Sequence, residues 1–366
     1  MVGAHMTQEP LPAKDLNAHM VVRRDDGFVL DVDVRLKAGI TTAVLGPNGS
    51  GKSSLMNAIA GLLPIDEGTI RLGDQILDDP STGVFVPPEH RRAGVVFQKY
   101  LLFEHLDVAE NVLFPAVVQK IATTDMRKAA ERLLDSFGLA SLESRKPSEL
   151  SGGQRQRVAI ARALASQPKL LLFDEPLAAL DVETKGNLRR LLRDHLDSFR
   201  GPRLLITHDP VDAFLLADRI VILENGRITQ LGPTNELAQR PATPYAAALA
   251  GLNLLVGTNA AGTLTIENSD QPLATADTQT SGAVLITINP NAIALHQSEP
   301  HGSPRNSWST RVVSVEGSGD VIRVTLGDPL PLNVDVTPGA VAAMGLVPGQ
   351  DVWASVKATE VFVSPS

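Results

Sequence analysis

The stretch that decides the fold is Gly46-Pro47-Asn48-Gly49-Ser50-Gly51-Lys52-Ser53, which reads Gly-x4-Gly-Lys-Ser. An apolar run from Thr41 to Leu45 precedes it and predicts a buried strand, and the stretch from Ser53 to Ala60 predicts a helix. Glycines let a backbone approach a ligand closely and adopt positive φ, and a helix N-terminus carries partial positive charge. A loop of this composition between a strand and a helix therefore predicts a site for a phosphate chain.

The residue types in this loop fit a nucleoside triphosphate and Mg²⁺. Backbone N–H groups would surround the phosphates, and Lys52 would reach the β- and γ-phosphates as a point charge. The Ser53 hydroxyl would ligate Mg²⁺, and Ser54 follows it in the same site. The alternative is a glycine-rich turn before a helix, which we disfavour because the whole motif has the strand and helix that it needs.

Composition limits the classes of protein that remain. The chain has 366 residues, enough for two or three domains, and 43% of them are hydrophobic. The net charge of -8 argues against a nucleic-acid partner. The absence of cysteine excludes disulfides and thiolate metal sites and fits a reducing compartment. No apolar run approaches the ~20 residues that cross a bilayer, so another chain would supply any spanning helices.

The hydrophobic pattern predicts two domains. After an N-terminal tail of residues 1–14, strands alternate with helices over residues 15–252, which predicts an α/β domain with a largely parallel core sheet. It includes amphipathic helices at Asp125–Phe137 and Ser151–Ala165. From Asn253 onward helix signals vanish, and short alternating runs between turn formers predict a small all-β domain over residues 253–366.

Two further motifs fit chemistry on a triphosphate. The apolar run Leu170 to Phe173 ends in Asp174 and Glu175, and ligands bind at the carboxyl ends of parallel strands. Asp174 could hold Mg²⁺ there, and Glu175 could polarise an attacking water, although both could also be solvated turn residues. Ser151-Gly152-Gly153-Gln154 opens a helix that Ser151 can cap, and such a terminus can bind phosphate or simply be capped.

In this order the motifs resemble those of ABC-transporter ATPase subunits, over about residues 15 to 250. Leu150-Ser151-Gly152-Gly153-Gln154 resembles the family's signature motif, and Gln98 resembles the glutamine of its Q-loop. Ala179-Leu180-Asp181 resembles the D-loop, and His208 resembles the switch histidine. The family also stacks an aromatic residue on adenine. Phe28 is the nearest aromatic here, but Arg23 and Arg24 lie nearer the expected place, so we assign no residue.

The resemblance implies a P-loop ATPase fold with a helical signature subdomain and ATP and Mg²⁺ as cofactors. It implies catalytic roles for Glu175, His208 and Gln98, metal ligation by Ser53, Gln98 and Asp174, and nucleotide contacts by Ser151, Gly152, Gly153, Gln154 and Asp181. It further implies a homodimer on the cytoplasmic face of the membrane with two transmembrane permease subunits, served indirectly by a substrate-binding protein. The residues before the Q-loop, Arg91 and Arg92, are predicted to be solvated or to contact a partner.

The tail bears on the substrate. Ser303-Pro304-Arg305-Asn306, the strands after it and the stretch from Val356 to Val361 resemble the Mop-type β module of molybdate-importer ATPases, with its motif starting at about residue 303. The resemblance implies that Ser303, Arg305, Asn306 and Lys357 bind an oxyanion, molybdate or tungstate. The alternative is an accessory β-barrel like those of sulfate, sugar or polyamine importers.

We therefore predict the ATP-hydrolysing subunit of an oxyanion importer, most like those for molybdate. One alternative is an ABC ATPase that acts without a transporter. Such proteins usually carry two ATPase halves or a long coiled coil, whereas this chain has one P-loop and no sustained heptads. A protein that only stores or senses oxyanion is disfavoured by the complete set of hydrolytic motifs.

Overall fold

The computed structural model describes residues 14–118, 124–178, 180–239, 241–318 and 321–365. The chain divides into two compact units, Met1–Thr234 and Asn235–Ser366. Ala179 of the D-loop motif and most of the predicted N-terminal tail lie outside the described residues. The domain boundary predicted between residues 252 and 253 stays a prediction.

The first unit alternates strands with helices, as the sequence predicts. Its strands are β1 Leu16–Arg23, β2 Val29–Leu36, β3 Thr41–Leu45, β4 Glu67–Leu72, β5 Gln75–Asp79, β6 Val84–Phe85, β7 Ala93–Val96, β8 Leu170–Asp174, β9 Arg203–Ile206, β10 Arg219–Glu224 and β11 Arg227–Pro233. Its helices are α1 Lys52–Ala60, α2 Val108–Val118, α3 Thr124–Ser136, α4 Gly152–Ala165, α5 Val182–Ser198 and α6 Pro210–Leu216.

A six-stranded sheet with the order β11-β10-β3-β9-β8-β7 forms the centre of this unit. The strands from β10 to β7 are parallel to their neighbours, and only β11 pairs antiparallel, at one edge. All residues of β3 and β9 are buried, including Thr41, Thr42 and Arg203, which explains why neither strand alternates between apolar and polar residues. The predicted α/β class with a largely parallel sheet is confirmed.

A second, antiparallel sheet packs on the first. Its strand order is β2-β1-β4-β5-β6, and β2 alternates strictly between exposed and buried residues. The buried face joins a core that includes Leu30, Val44 and Ile59, from β2, β3 and α1 respectively. The P-loop helix α1 is therefore held between the two sheets.

The predicted helical subdomain is formed by α2, α3 and α4, which share a core that includes Val112, Phe137 and Ile160. Ser151 caps α4, as predicted: its Oγ accepts from the Gln154 N–H at 3.3 Å, and Gln154 Oε1 accepts from the Ser151 N–H at 2.8 Å. This reciprocal capping box fixes the start of α4.

The prediction that Arg91 is solvated is wrong. Arg91 is 2% exposed, and its guanidinium donates to the carbonyls of Val86 at 2.7 Å, Ala58 at 2.7 Å and Ile59 at 3.0 Å. It also donates to the Leu77 carbonyl at 3.2 Å and lies 3.4 Å from Asp78 Oδ2. Arg92, in contrast, is exposed.

The second unit contains two five-stranded antiparallel sheets, ordered β14-β13-β12-β15-β21 and β16-β20-β17-β18-β19. The strands are β12 Asn253–Ala260, β13 Thr263–Ile266, β14 Leu273–Ala274, β15 Gly282–Ile288, β16 Ala294–His296, β17 Asn306–Ser318, β18 Val321–Leu326, β19 Asn333–Val336, β20 Asp351–Val356 and β21 Val361–Pro365. The helices are α7 Thr234–Gln239, α8 Pro244–Leu249 and α9 Pro338–Met344. Both sheets contribute to one core, which surrounds the buried Trp308.

The small β domain is as predicted except for α9, because the sequence predicted no helix after Asn253. Thr337 caps α9 by accepting from the Ala340 N–H, Pro338 occupies its first turn, and Gly345 ends it with φ +63°. These are ordinary helix start and stop signals. The helix is only seven residues long, however, and it lies among many turn-forming residues, so its pattern does not stand out in the sequence.

Candidate functional site

The sequence motifs meet at one edge of the parallel sheet. The loop with Gly46 follows β3, His208 follows β9, Asp174 ends β8, and Gln98 follows β7. These four strands are neighbours in the order β3-β9-β8-β7 and run in the same direction, so their carboxyl ends coincide. Side chains from four distant parts of the sequence therefore face one site.

The loop Gly46–Gly51 shows the positive φ and the close backbone packing that its glycines were expected to allow. Gly51 adopts φ +104° immediately before α1, and a Cβ there would lie 2.9 Å from Leu30 Cδ1 and 3.0 Å from Phe28 Cζ. A Cβ at Gly46 would lie 2.0 Å from the Leu223 carbonyl oxygen. Any larger residue at either position would displace the loop or its neighbours.

Lys52 bonds to its own loop. Its Nζ donates to the carbonyls of Gly46 at 2.7 Å and Pro47 at 2.8 Å. Burial lowers the pKa of Lys52, although the nearby Glu175 and Asp174 carboxylates act in the opposite direction. The ammonium group therefore bonds to the loop within the electrostatic reach of Asp174, the last residue of β8, and of Glu175, which follows it.

Three side chains with predicted catalytic roles are in contact. Glu175 Oε2 accepts from Gln98 Nε2 at 3.1 Å, and Glu175 Oε1 lies 3.0 Å from His208 Nδ1. Glu175 has φ +48°, and its backbone N–H donates to the Ile206 carbonyl at 2.9 Å. This left-handed conformation is uncommon outside glycine, and it occurs here at the residue that contacts both Gln98 and His208.

The residues proposed for a metal offer oxygen ligands. Burial raises the pKa of Asp174, as does the neighbouring Glu175, whereas Lys52 lowers it. Ser53 is exposed at the start of α1. Within the described ranges, no group of three or more His, Cys, Asp or Glu side chains could hold a metal ion on its own. A hydroxyl, an amide and one carboxylate nevertheless fit Mg²⁺, which keeps waters and phosphate oxygens as its other ligands.

The signature and D-loop residues contact each other within the chain. Asp181 caps α5 by accepting from the Thr184 N–H at 3.0 Å. A Cβ at Gly153 would lie 3.1 Å from Thr184 Cγ2 and 3.3 Å from Leu180 Cδ2. The small residues at the start of α4 therefore allow it to pack closely against the start of α5.

An open concavity of about 370 Å³ lies beside the loop and is lined by Phe28, Gly49, Asn225 and Arg227, among others. Phe28 is the aromatic residue that the sequence left unassigned, and it also packs against Gly51. Arg227 and Asn225 belong to the β10–β11 hairpin, and no sequence motif indicated that this hairpin lies near the nucleotide loop.

The four oxyanion candidates of the tail do not share one environment. Ser303, Arg305 and Lys357 are exposed, whereas Asn306 is 2% exposed. The Asn306 side chain donates to the Ala274 carbonyl at 3.0 Å and accepts from the Ala274 N–H at 2.6 Å. An open concavity of about 450 Å³ is lined by Pro304, Ser355, Lys357 and Glu360, with Asn289 and Asn291 at the same site.

The sequence missed the acidic and basic side chains that hold the His208 loop. Asp209 accepts from the Val211 N–H at 2.8 Å and forms an ion pair with Lys185 of α5. Lys185 also lies 3.2 Å from Asp212, which Arg189 contacts at 2.5 Å. No local pattern predicts this network, because its members come from two helices separated by a strand.

A phosphate loop, a capped signature helix and a carboxylate between a glutamine and a histidine, all on an α/β sheet, define a P-loop ATPase of the ATP-binding cassette type. Family models agree: the ABC transporter model matches residues 29–178, and the TOBE domain model matches residues 302–363.

Relatives extend this similarity over most of the chain. It is 40% identical over 349 residues to the molybdenum import ATP-binding protein ModC of Mycobacterium tuberculosis, covering 92% of this chain and 94% of that protein. It is 33% identical over 338 residues to the molybdate/tungstate import ATP-binding protein WtpC of Pyrococcus horikoshii, covering 92% and 95%. The sulfate/thiosulfate import ATP-binding protein CysA of Mesostigma viride is 41% identical over 220 residues, 60% of this chain and 62% of that protein.

A solved structure supports the same fold for the ATPase part. The ATP-binding cassette MJ0796, in a dimeric post-hydrolysis state bound to ADP and Pi, superposes with a TM-score of 0.52 at 30% identity. The match covers 60% of this chain and 98% of that one.

The chain belongs to the family of ATP-binding proteins that drive ABC import systems, and the predicted resemblance is confirmed. Its activity is that of an ATPase coupled to import. Among the residues that the structure describes, no helix combines the length and the apolar character needed to cross a bilayer.

Proposed function

We propose that this chain hydrolyses ATP to drive the import of an oxyanion, with molybdate as the first candidate and tungstate as the second. Two relatives named for molybdenum or tungstate import align with 92% of the chain, including its tail. The sulfate/thiosulfate relative aligns with only 60% of it. Because an ATPase unit does not contact the transported ion, similarity that includes the tail carries more weight for the substrate.

The observation that carries the ATPase mechanism is the contact of Glu175 with both Gln98 and His208. We assign Glu175 to accepting a proton from, or polarising, the attacking water, and Gln98 and His208 to orienting the carboxylate and the γ-phosphate. Lys52 exchanges its two carbonyl partners for phosphate oxygens. Catalysis then depends on position and charge, with little covalent chemistry by the protein.

Ser53, Asp174 and Gln98 are the proposed ligands of Mg²⁺, which when bound neutralises charge on the β- and γ-phosphates. The chain's own contribution is to present these three oxygen atoms at the edge of the sheet. The raised pKa of Asp174 reflects burial beside another carboxylate, and a bound cation would act in the opposite direction.

We further propose a homodimer in which residues 46–54 of one protomer and Ser151, Gly152, Gly153 and Gln154 of its partner enclose each nucleotide, next to Asp181. A twofold axis makes both sites equivalent. The dimeric state of the MJ0796 cassette supports this arrangement. Two permease subunits would bind the dimer at the cytoplasmic face of the membrane, and a substrate-binding protein would deliver the ion to them.

A single substitution tests the ATP site. Glu175→Gln keeps the shape of the side chain but removes the charge that acts on water, so ATP should bind and persist. The variant should elute as a dimer on size exclusion with ATP and Mg²⁺ and as a monomer without them. Steady-state hydrolysis at the wild-type rate would remove Glu175 from the mechanism.

For the tail, we propose that the oxyanion binds in the 450 Å³ concavity, with Lys357 as its cationic donor and Ser355 as a hydroxyl donor. Ser303 and Arg305 lie in the exposed segment on either side of Pro304, which lines the same concavity. Asn306 would contribute indirectly, because its amide joins β14 to the start of β17.

Calorimetry on the full-length chain tests this site. Titration with molybdate and tungstate should give saturable heats, and sulfate should bind more weakly because its ion is smaller. Lys357→Ala should weaken the binding of molybdate and tungstate. Equal heats for all three anions, or none, would favour an accessory barrel of the kind predicted as the alternative.

The transported ion is tested separately, in the membrane complex that copurifies with the tagged chain. Reconstituted into liposomes with ATP on the side of the ATPase, the complex should accumulate molybdate in preference to sulfate. Preference for sulfate would move the assignment to the sulfate importers, to which the ATPase unit is also similar.

A further inference from the structure

Arg162 is a charged residue in the apolar middle of the signature helix α4. It is 9% exposed, and its neighbours Ile160, Ala161 and Ala163 are buried. Burial lowers the pKa of its guanidinium. An arginine in such a place needs hydrogen bonds to offset the loss of hydration, so its partners show what it holds.

Those partners lie in the segment directly after Gln98. Arg162 donates to the Leu101 carbonyl at 2.7 Å and to the Tyr100 carbonyl at 2.9 Å, and its guanidinium lies 5.4 Å from the centre of the Phe103 ring. Tyr100 and Leu101 have φ values of +61° and +46°. Two consecutive non-glycine residues in the left-handed region are strained and need outside contacts to stay there.

The strained pair is continuous with the catalytic cluster. The Tyr100 N–H donates to the Phe97 carbonyl at 2.9 Å, which closes a turn around Gln98 and Lys99. Gln98 in turn donates to Glu175. A shift of the Tyr100 carbonyl would therefore move the backbone that carries Gln98.

The same segment also lies close to the start of the signature helix. A Cβ built at Gly152 would lie 4.0 Å from the Tyr100 hydroxyl. Tyr100 thus contacts α4 through its carbonyl at Arg162 and extends its side chain toward Gly152, so a shift of the helix would act on the turn.

We propose that Arg162 is a positioning residue, which holds Tyr100 and Leu101 at positive φ and so keeps Gln98 against Glu175 only while α4 is in place. The inference rests on the proposed role of Gln98. It makes hydrolysis in one site depend on the orientation of the helix whose first residues face the other protomer's nucleotide. Arg162 itself touches neither nucleotide nor water.

Arg157 supplies a matched control on the same helix. Its guanidinium donates at 3.0 Å to the carbonyl of Phe137, the residue after α3, and at 3.4 Å to the Gly153 carbonyl of its own helix. Arg157 therefore joins α4 to α3 within the helical subdomain without contacting the turn. Arg157→Gln and Arg162→Gln remove the same charge and the same kind of carbonyl contact from one helix.

The test measures kcat and the KM for ATP of full-length variants at matched folded fraction, judged by circular dichroism. Arg162→Gln should lower kcat by about 10–100-fold, the scale of a misplaced catalytic group, with little change in KM. Arg157→Gln should retain kcat. Arg162→Lys, which keeps the charge but not the two-pronged geometry, should fall between wild type and Arg162→Gln.

A rescue variant separates positioning from general damage. Glycine adopts positive φ without strain, so Leu101→Gly added to Arg162→Gln should restore kcat several-fold, although it adds no contact. Leu101 is 54% exposed, so little packing is lost. If Arg162→Gln does not fold, Arg162→Lys decides: a reduced kcat at unchanged thermal stability supports the proposal.

Three results would overturn it: wild-type kcat in Arg162→Lys, equal losses in Arg162→Gln and Arg157→Gln, or no rescue by Leu101→Gly. Gln98→Ala is measured beside them. If Gln98→Ala lowers kcat but Arg162→Gln does not, only this inference fails. If Gln98→Ala retains kcat, the role proposed for Gln98 fails, and the positioning role fails with it.

Discussion

Replacing Arg91 by methionine should destabilise the first unit strongly, although Arg91 lies far from the reacting atoms. Methionine is of similar length, so the change removes the guanidinium and keeps most of the packing. Four backbone carbonyls, from residues 58, 59, 77 and 86, lose a donor at 2.7–3.2 Å. The Asp78 carboxylate, whose side chain is 3% exposed, loses its cation.

Removing one partner of a buried, hydrogen-bonded ion pair costs about 3–5 kcal/mol. For a unit of roughly 150–250 residues, each kcal/mol lowers the melting temperature by about 2–4 °C, so the expected loss is roughly 6–20 °C. The neighbouring Arg92 is exposed, and Arg92→Met should change stability by less than about 0.5 kcal/mol.

The assay is thermal unfolding followed by circular dichroism at a helix band, because α1 to α6 all lie in the first unit. Both tryptophans of the chain, Trp308 and Trp353, lie in the second unit, so their fluorescence reports on the unfolding of that unit. The dichroism transition should shift more than the fluorescence transition. An Arg91→Met variant no less stable than Arg92→Met would refute the argument.

The stability loss in Arg91→Met should also depend on pH, and the titration of Asp78 determines its direction. Burial raises the pKa of Asp78, while a hydrogen bond from Ile65 and the charge of Arg91 oppose the rise. Without Arg91 the folded-state pKa should rise further above the unfolded value. The variant's stability is then greatest where Asp78 is protonated and is lost as pH increases through that pKa. The loss of unfolding free energy in Arg91→Met, relative to the wild type, should therefore be smaller near pH 5 than near pH 8.

Three further predictions concern the proposed dimer, the ATP site and the tail. A Ser151→Arg chain mixed with a Lys52→Ala chain should recover part of the ATPase activity, since the heterodimer keeps one intact composite site; no recovery in proven heterodimers would exclude shared sites. His208→Ala should lower kcat by about 10²–10³-fold, typical of one lost donor to a developing charge, and wild-type turnover would contradict its role. Excess molybdate should slow the assembled complex more than sulfate does. Lys357→Ala should weaken this response, and deletion of residues 253–366 should abolish it; an unchanged rate with saturating molybdate would remove the tail as a sensor.

Much of the ATP site could be predicted from sequence because its functional residues lie in short contiguous motifs. Gln98, Glu175 and His208 each follow an apolar run, and parallel strands bring the carboxyl ends of such runs to one edge. The contact between them follows from the strand order, which the sequence does not specify.

The buried arginines show where sequence reasoning stopped. The acceptors of Arg91 come from α1, β5 and the residue after β6, so no local pattern marks this residue as buried. Arg162 did leave a signal, because it interrupts the apolar stretch Val158–Ala165 of an otherwise amphipathic helix. A charged residue within an apolar helical stretch indicates a buried polar partner, although it does not say which one.

Asn306 illustrates a different limit of predicting binding residues from a motif. Its place in the Ser303–Asn306 motif suggested a ligand, yet its amide completes the edge of β14 at Ala274. A motif shared with binding proteins can contain residues that only shape the site, and the sequence alone does not separate the two roles.

The bonds of Lys52 to the carbonyls of Gly46 and Pro47 have a consequence for selectivity among anions. An isolated ammonium at the mouth of a glycine-rich loop would attract inorganic phosphate and sulfate, both abundant in cells. Here the ammonium has two carbonyl acceptors at hydrogen-bond distance, so only one of its three donors is left for an anion while both carbonyls stay bound. A small anion that takes this third donor gains one hydrogen bond from the ammonium, whereas a polyphosphate spans the loop and can replace the carbonyls as well. The loop thus favours an extended polyphosphate over the small anions that would otherwise compete with the nucleotide.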